Sequence, residues 1–406
     1  MDDAVRFGAL VLATCVAGLI AVQSHRLAER VRIPTPALFL IAAAVGARLV
    51  PQLHEVHHQT VERVVTVALI VILFDGGLSI GMPRFRASAG GVLALGVLGT
   101  FVTVAGAAVL AHALLGVSWY LAVLVATAVA PTDPAVVFSV LGRREVEGRT
   151  GTLLEGESGA NDPVGIALMA GLLSADGLSG GALGHVAGTF ALQLVVGLAV
   201  GVAGARALLH LVRRVALPSE GLYAVRSLLG AGALFGLANV LHGSGFLAVF
   251  VAGVVLGQER APYRLEVLRF HAALAALGEV VAFAVLGLTV DLDVLGRTDV
   301  WVPGLALGLL LAVVVRPLLV APLLLRSALT TGERAFVLLS GLKGAVPLLL
   351  GSLLLPEEHG ARLHGVVVVV VMVSVLGQGS LVPWLARRLG VGMRAKELRA
   401  PYPQHG

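Results

Sequence analysis

The chain has 406 residues, of which 57% are hydrophobic and only 13% charged, with a mean hydropathy of +0.94; soluble domains carry about 25% charged residues. That balance excludes a soluble globular enzyme, a disordered chain and a nucleic-acid binder. The formal charge of +5 does not argue for nucleic acid, because the basic residues gather on one side of a membrane. The 51 glycines suit close helix packing in lipid. The single cysteine, Cys15, lies in the first apolar segment, so neither a disulfide framework nor a cysteine metal site is expected.

That first segment opens Met1-Asp2-Asp3 without a basic leader and is read as a membrane helix, not a signal peptide. A span needs about 20 mostly apolar residues. Thirteen helices follow, at about 5–23, 33–50, 62–81, 89–115, 118–141, 152–174, 183–212, 221–241, 244–258, 271–290, 301–325, 334–355 and 364–386. The apolar runs are continuous, not alternating, which argues against a β-barrel. After Trp384 only about twenty mostly polar residues remain, too few for a further core.

Alternate loops divide Lys and Arg unevenly, with 21 on one side against five on the other, Arg6, Arg48, Arg63, Arg297 and Arg362. The rich side includes Arg26, Arg30 and Arg32, Arg84, Arg149, Arg264, Arg269 and the tail from Arg387 to Arg399. By the positive-inside rule the N-terminus is outside and the C-terminus cytoplasmic. Two segment pairs also match at one spacing: Pro34…Gly46 with Ser244…Gly257, and Leu73…Ile80 with Ala284…Asp291, both offset by 211 residues. The expected fold is thus all-α, with two inverted six-helix repeats, helices 1–6 and 8–13. In residues, repeat one is about 5–174, a linker helix about 183–212, repeat two about 221–386 and a short cytoplasmic tail 387–406, within a single transmembrane domain 1–406.

An ionisable residue deep in a span is costly and marks function by default. Asp75, Asp133, Glu157, Asp162 and Glu279 qualify among the acids, Arg316 and Lys343 among the bases. In the fifth span, Ala130-Pro131-Thr132-Asp133-Pro134 places prolines around Thr-Asp, which breaks a helix and frees carbonyls and amides. The 211-residue offset carries Thr132 onto Lys343, within Gly341-Leu-Lys-Gly-Ala-Val-Pro347 of the twelfth span. Two broken helices facing each other are therefore expected, Asp133 offsetting half-helix N-termini and Lys343 half-helix C-termini. The bland alternative is a proline kink with a structural charge pair.

The sixth span opens on Glu155-Gly-Glu157-Ser158-Gly-Ala-Asn161-Asp162-Pro163. Ser158 and Asp162 share a helix face, so a hydroxyl and a carboxylate can point at one ion. With Thr132 and freed carbonyls they can ligate a hard alkali cation. A buried carboxyl resists ionisation and a nearby cation favours it, so Asp162 can trade a proton for a metal ion. The alternative is a satisfied hydrogen-bond network between helices. Glu279 and Arg316 are read as a structural pair or as lining of a cytoplasmic funnel. His54, His57 and His58 beside Glu55 are read as a solvated loop before a zinc or pH site.

Leu73-Phe-Asp-Gly-Gly-Leu78, Pro131-Thr-Asp-Pro134, Glu157-Ser-Gly-Ala-Asn-Asp-Pro163 and Gly341-Leu-Lys-Gly-Ala-Val-Pro347 together resemble the NhaP-type sodium (or potassium)/proton antiporters of the cation:proton antiporter superfamily. The details look most like the potassium/proton cell-volume-regulation branch, without its cytoplasmic regulatory domains. The resemblance implies an antiporter of the cell membrane, without cofactor, that exchanges Na+ or K+ for H+ as a homodimer. It implies that Asp162 carries the ion, assisted by Asn161, Ser158 and Thr132, with Asp75 connected through water. It also implies an ion pair from Glu157 to the basic residue of the Gly-Leu-Arg-Gly motif, which here is Lys343 and cannot pair in a bidentate way. Relatives with two adjacent acids at the Asn161-Asp162 position move more than one proton per cation. One carboxylate at that place implies electroneutral one-for-one exchange. Two other classes stay on the page: a sodium-coupled organic-anion symporter of similar fold, and an intramembrane aspartyl protease using Asp133 and Asp162.

Overall fold

The computed structural model describes residues 34–49, 57–141, 144–175, 177–257, 263–325 and 327–395, with Gly8, Leu12, Gly18, Leu19 and Gln23. The first expected span with Cys15, the arginines 26, 30 and 32, His54, Glu55 and the end of the tail lie outside the described residues.

The described chain is helical. α1 is Thr35–Leu49, α2 His58–Leu93 and α3 Gly99–Leu115, the last two joined through a wide helical turn, Ala94–Leu98. A single rod of 58 residues would be about 87 Å long at 1.5 Å per residue, nearly three bilayer cores. Gly81, at φ 63°, turns the chain within it just before Pro83, and only glycine takes that conformation without strain. α4 (Trp119–Val129) and α5 (Pro134–Leu141) are bent by 40° across a break. There follow α6 (Gly148–Leu173), α7 (Gly180–Arg214), α8 (Glu220–Val240), α9 (Gly245–Leu256) and α10 (Arg264–Gly287). Beyond the short α11 (Leu292–Leu295), α12 (Thr298–Leu310) runs through a π-helical stretch, Leu311–Val320, into α13 (Ala321–Leu324). α14 (Thr331–Leu339) and α15 (Ala345–Ser352) flank a second break, and α16 (Gly360–Met372) reaches α17 (Gly379–Arg388) through another π segment, Val373–Gln378.

By length and composition, six described helices can cross a membrane, or seven if α4 and α5 form one span. The expected thirteen exceed that number for these reasons. The first expected span lies outside the described residues, and the two spans on either side of the Gly81 kink count as one. α1 and α9 are short, α6 is made polar by Glu157, Asn161 and Asp162, and α14 and α15 are each half a span.

Small residues let the helices approach. A side chain at Gly77 would meet the Phe250 carbonyl and one at Gly253 the Phe74 carbonyl, so α2 and α9 cross nearly backbone to backbone. A small apolar core joins α2, α7, α8 and α9 through Phe74, Leu234 and Val249. A much larger one surrounds the two breaks. α7 and α8 turn outward their apolar side chains, among them Val195, Leu198, Leu229 and Val240, as a lipid-facing surface requires. At the edge of the larger core, through Val146 and Met393, two three-residue strands pair antiparallel: β1 (Arg144–Val146), before α6, with β2 (Met393–Ala395), after α17.

Candidate ion-binding site

The first break forms because Pro131 and Pro134 supply no amide. α4 therefore ends in carbonyls without successors, and α5 starts on Pro134, where a helix tolerates proline. At the second break α14 ends at Leu339 and α15 starts after Gly344. The two breaks meet. Asp133 N–H donates to the Leu342 carbonyl at 2.8 Å. Lys343 Nζ donates to the carbonyls of Ala130 at 3.0 Å and Pro131 at 3.3 Å. A side chain at Gly344 would collide with the Asp133 carboxylate, so glycine is required for the crossing. The Asp133 carboxylate accepts the Ala135 amide at 2.8 Å and also bonds the Val136 and Ala345 amides. It thereby serves the N-termini of both α5 and α15, where a negative charge is stabilising.

α6 runs beside this crossing. Asn161 Nδ2 donates to Thr132 Oγ1 at 2.7 Å, and its Oδ1 accepts the Thr132 amide at 3.3 Å. Thr132 and Asn161 thus clasp α6 to the first break, and neither lines the cavity below. The next residue, Asp162, is 7% exposed. Its closest polar partner is the Ser158 hydroxyl, at 3.5 Å.

The expected pair of Glu157 with Lys343 is not formed. Glu157 accepts two hydrogen bonds from Arg316, at 2.8 and 3.3 Å, with both side chains buried. Arg316 also donates to the carbonyls of Leu338 and Val337. The reason is geometric. The planar guanidinium answers a carboxylate and two carbonyls together, while the compact ammonium of Lys343 is taken by the end of α4. This also dissolves the alternative pair of Arg316 with Glu279. Arg316 shows in the sequence only as a lone charge before Pro317 in an apolar run, and nothing there named its partner. Ser374 and Gln378 were missed altogether. Ser374 Oγ accepts the Lys343 amide at 3.0 Å, and Gln378 Nε2 donates to the Leu339 carbonyl at 2.6 Å. Their signal was two isolated polar residues after a run of valines.

A cavity of about 1930 Å³ reaches this centre, and Asp75, Asp133, Ser158, Asp162 and Glu279 line it. Arg84, Arg149, Arg264, Arg269, Arg387 and Arg394 also line it; all six belong to the side expected to be rich in basic residues. Asp162, Ser158, Asp133 and Asp75 are thus brought to one space, while Glu157 and Lys343 are used in packing. Among the described residues, Asp162 has no salt bridge to a basic side chain, and no group of three or more His, Cys, Asp or Glu is arranged to hold a metal ion. Of the histidine group, His58 Nε2 lies 3.1 Å from the Glu62 carboxylate one turn on.

Comparison with known proteins agrees with this architecture. Residues 11–388 match the model of a family described as sodium/hydrogen exchanger, transmembrane. A K(+)/H(+) antiporter NhaP2 of Shewanella sp. (strain MR-4) is 32% identical over 349 residues, which is 84% of this chain and 60% of the relative. A K(+)/H(+) antiporter NhaP of Alkalimonas amylolytica is 31% identical over 386 residues, 93% of this chain and 66% of the relative. The chain therefore spans about 60% of the length of the first of these and under two thirds of the second. The solved sodium proton antiporter MjNhaP1 of Methanocaldococcus jannaschii shares the helical membrane fold, with TM-score 0.77 at 21% identity over 94% of this chain and 99% of its own. This chain belongs to the transmembrane sodium/hydrogen exchanger family.

Proposed function

We propose that the chain is a secondary active antiporter that exchanges Na+ or K+ for H+ across the cell membrane, with Asp162 as the shared site. One observation carries this reading. Two other acids at the centre are already answered, Glu157 by Arg316 and Asp133 by helix amides, whereas Asp162 lines the cavity and meets only a weak hydroxyl contact. An unanswered buried carboxylate is costly, so it takes up either a proton or a cation. Ser158 adds an oxygen to the cation, and the Asn161–Thr132 clasp holds α6 against the freed backbone of the first break. Asp133 and Lys343 keep the two interrupted helices in register, and Asp75 contributes from α2 across the cavity.

The finer architecture belongs to the same proposal: thirteen spans, two inverted repeats around the linker helix α7, and a homodimer with the N-terminus outside. The cavity that ends among basic residues supports a cytoplasm-facing state, and alternating access moves Asp162 to the other face. Since Asp162 crosses neutralised by one proton or one cation, exchange is electroneutral and one-for-one. The test uses the purified chain in proteoliposomes with a trapped pH dye. Added NaCl or KCl alone dissipates an imposed pH gradient, without a sustained current on a solid-supported membrane. No dissipation by either cation rejects the antiport reading, and a sustained current rejects the one-carboxylate account.

A further inference from the structure

The cavity wall beside Asp162 is aromatic. Phe250, on α9, lines the same cavity as Ser158, Gly159 and Asp162. Its ring lies directly over Gly159, where a side chain would collide with the ring carbons Cδ2, Cε2 and Cζ. Around the axis of α6, at 3.6 residues per turn, Asp162 stands about 40° from Ser158 and about 60° from Gly159, between the two. Positions three apart on a helix hold their Cβ sites about 5–6 Å from each other. The Phe250 ring therefore stands on one flank of the Asp162 side chain and the Ser158 hydroxyl on the other.

That wall is fixed from behind. Phe250 is 3% exposed, and with Phe246 and Val254, each one turn away, it forms the face of α9 packed into the large core. The other face, through Ala248, Val249 and Ala252, belongs to the small core shared with α2, α7 and α8. A side chain at Gly77 of α2 would meet the Phe250 carbonyl, so the backbone that carries the ring has no room to withdraw. α6 is held too: Asn161, about 160° round the axis from Gly159, clasps Thr132. A wall of ring carbon offers no oxygen ligand and no hydrogen bond to a water shell. Discrimination among hard cations rests on cavity size, ligand number and rigidity, and the smaller ion gives up its water more reluctantly.

On the antiport reading above, we propose that Phe250 sets which alkali cation the site prefers. Seated on Gly159, its ring limits the water that an ion at Asp162 and Ser158 can keep. Small, tightly hydrated cations are thereby penalised more than large ones. Phe250 ligates nothing itself, and Gly159 is the residue that admits its ring.

The test is exchange by the full chain in proteoliposomes with a trapped pH dye, with LiCl, NaCl, KCl and RbCl titrated separately. The readout is the ratio of apparent KM between the smallest and the largest cation that the wild type exchanges. Phe250→Ala lowers that ratio about fivefold, because the smaller ion gains more from the water now admitted. Phe250→Leu, which keeps most of the bulk, lowers it about twofold and covers the case in which the alanine variant fails to fold. Where the wild type exchanges a single cation, Phe250→Ala gains a smaller one, and no such gain overturns the proposal. An equal KM change for every cation overturns it, as does a lower maximal rate at an unchanged ratio, the mark of a packing role. A ratio that rises also overturns it, and if only Phe250→Leu folds, an unchanged ratio there does the same. Absence of exchange in the wild type with all four cations rejects the antiport reading itself, which is a distinct failure.

Discussion

The two helix breaks solve one problem with opposite charges. At the first, between α4 and α5, prolines remove donors and Asp133 gathers amides, including that of Ala345 from the other break. At the second, between α14 and α15, glycines give clearance and Lys343 reaches back to the carbonyls of Ala130 and Pro131. The carbonyl end of the second break is served separately, by Arg316 and Gln378. Charge is therefore settled by exchange across the crossing, and neither break is self-sufficient. Asp162 stands outside this settlement, beside the first break but not consumed by it. A crossing that compensates itself leaves one carboxylate free to change partners.

The comparison can be broken most severely at Asp162. Asp162→Asn is expected to abolish exchange while the protein still inserts and folds, since the amide keeps the shape but cannot release a proton; dye-monitored gradient dissipation measures it. Normal exchange by a well-folded variant would place the transported charge at one of the breaks. In the wild type, activity should fall at low pH, where protons occupy Asp162, and at high pH, where the returning proton is scarce.

The next largest effect falls on the second break. Replacing Arg316 by Met alone, or Glu157 by Gln alone, should cost about 3–5 kcal/mol by leaving one charge buried without its partner. The double variant should cost less than the sum in thermal unfolding, and additive losses would reject the pair. Lys343→Met should cost less, about 1–3 kcal/mol, for two carbonyls left without donors. Because Lys343 holds the carbonyls of the first break, that loss should couple to Asp133→Asn. Smallest is the clasp. Thr132→Val should cost about 1 kcal/mol and shift the cation KM through the position of α6, measured by the same flux assay.

The membrane class, most helix positions and both breaks were legible in the sequence, because proline, glycine and long apolar runs act locally. Asp133 and Lys343 were legible as charges beside freed helix ends for the same reason. The partner of Glu157 was not. Choosing between Arg316 and Lys343 depends on which of two distant bases meets two backbone carbonyls as well, and chain order does not contain that distance. The clasp of Asn161 onto Thr132 was hidden for a related reason: both residues read equally well as ion ligands until the cavity wall is known. The end of the third expected span was legible because glycine and proline act locally. Gly81 and Pro83 read as a helix end, and the chain does turn at Gly81 before the helix resumes.

The pairing of β1 with β2 has a consequence for the order in which the molecule is completed. The two strands are separated by roughly 250 residues of chain. At about 5–20 residues per second of synthesis, β1 waits tens of seconds for β2 to be made. During that interval the connector between α5 and α6 lacks the Glu147 amide bond to the Gly392 carbonyl and the three paired residues beyond it. The N-terminal end of α6, the helix that carries Asp162, is thus fastened only after β2 has been synthesised, long after Asp162 itself.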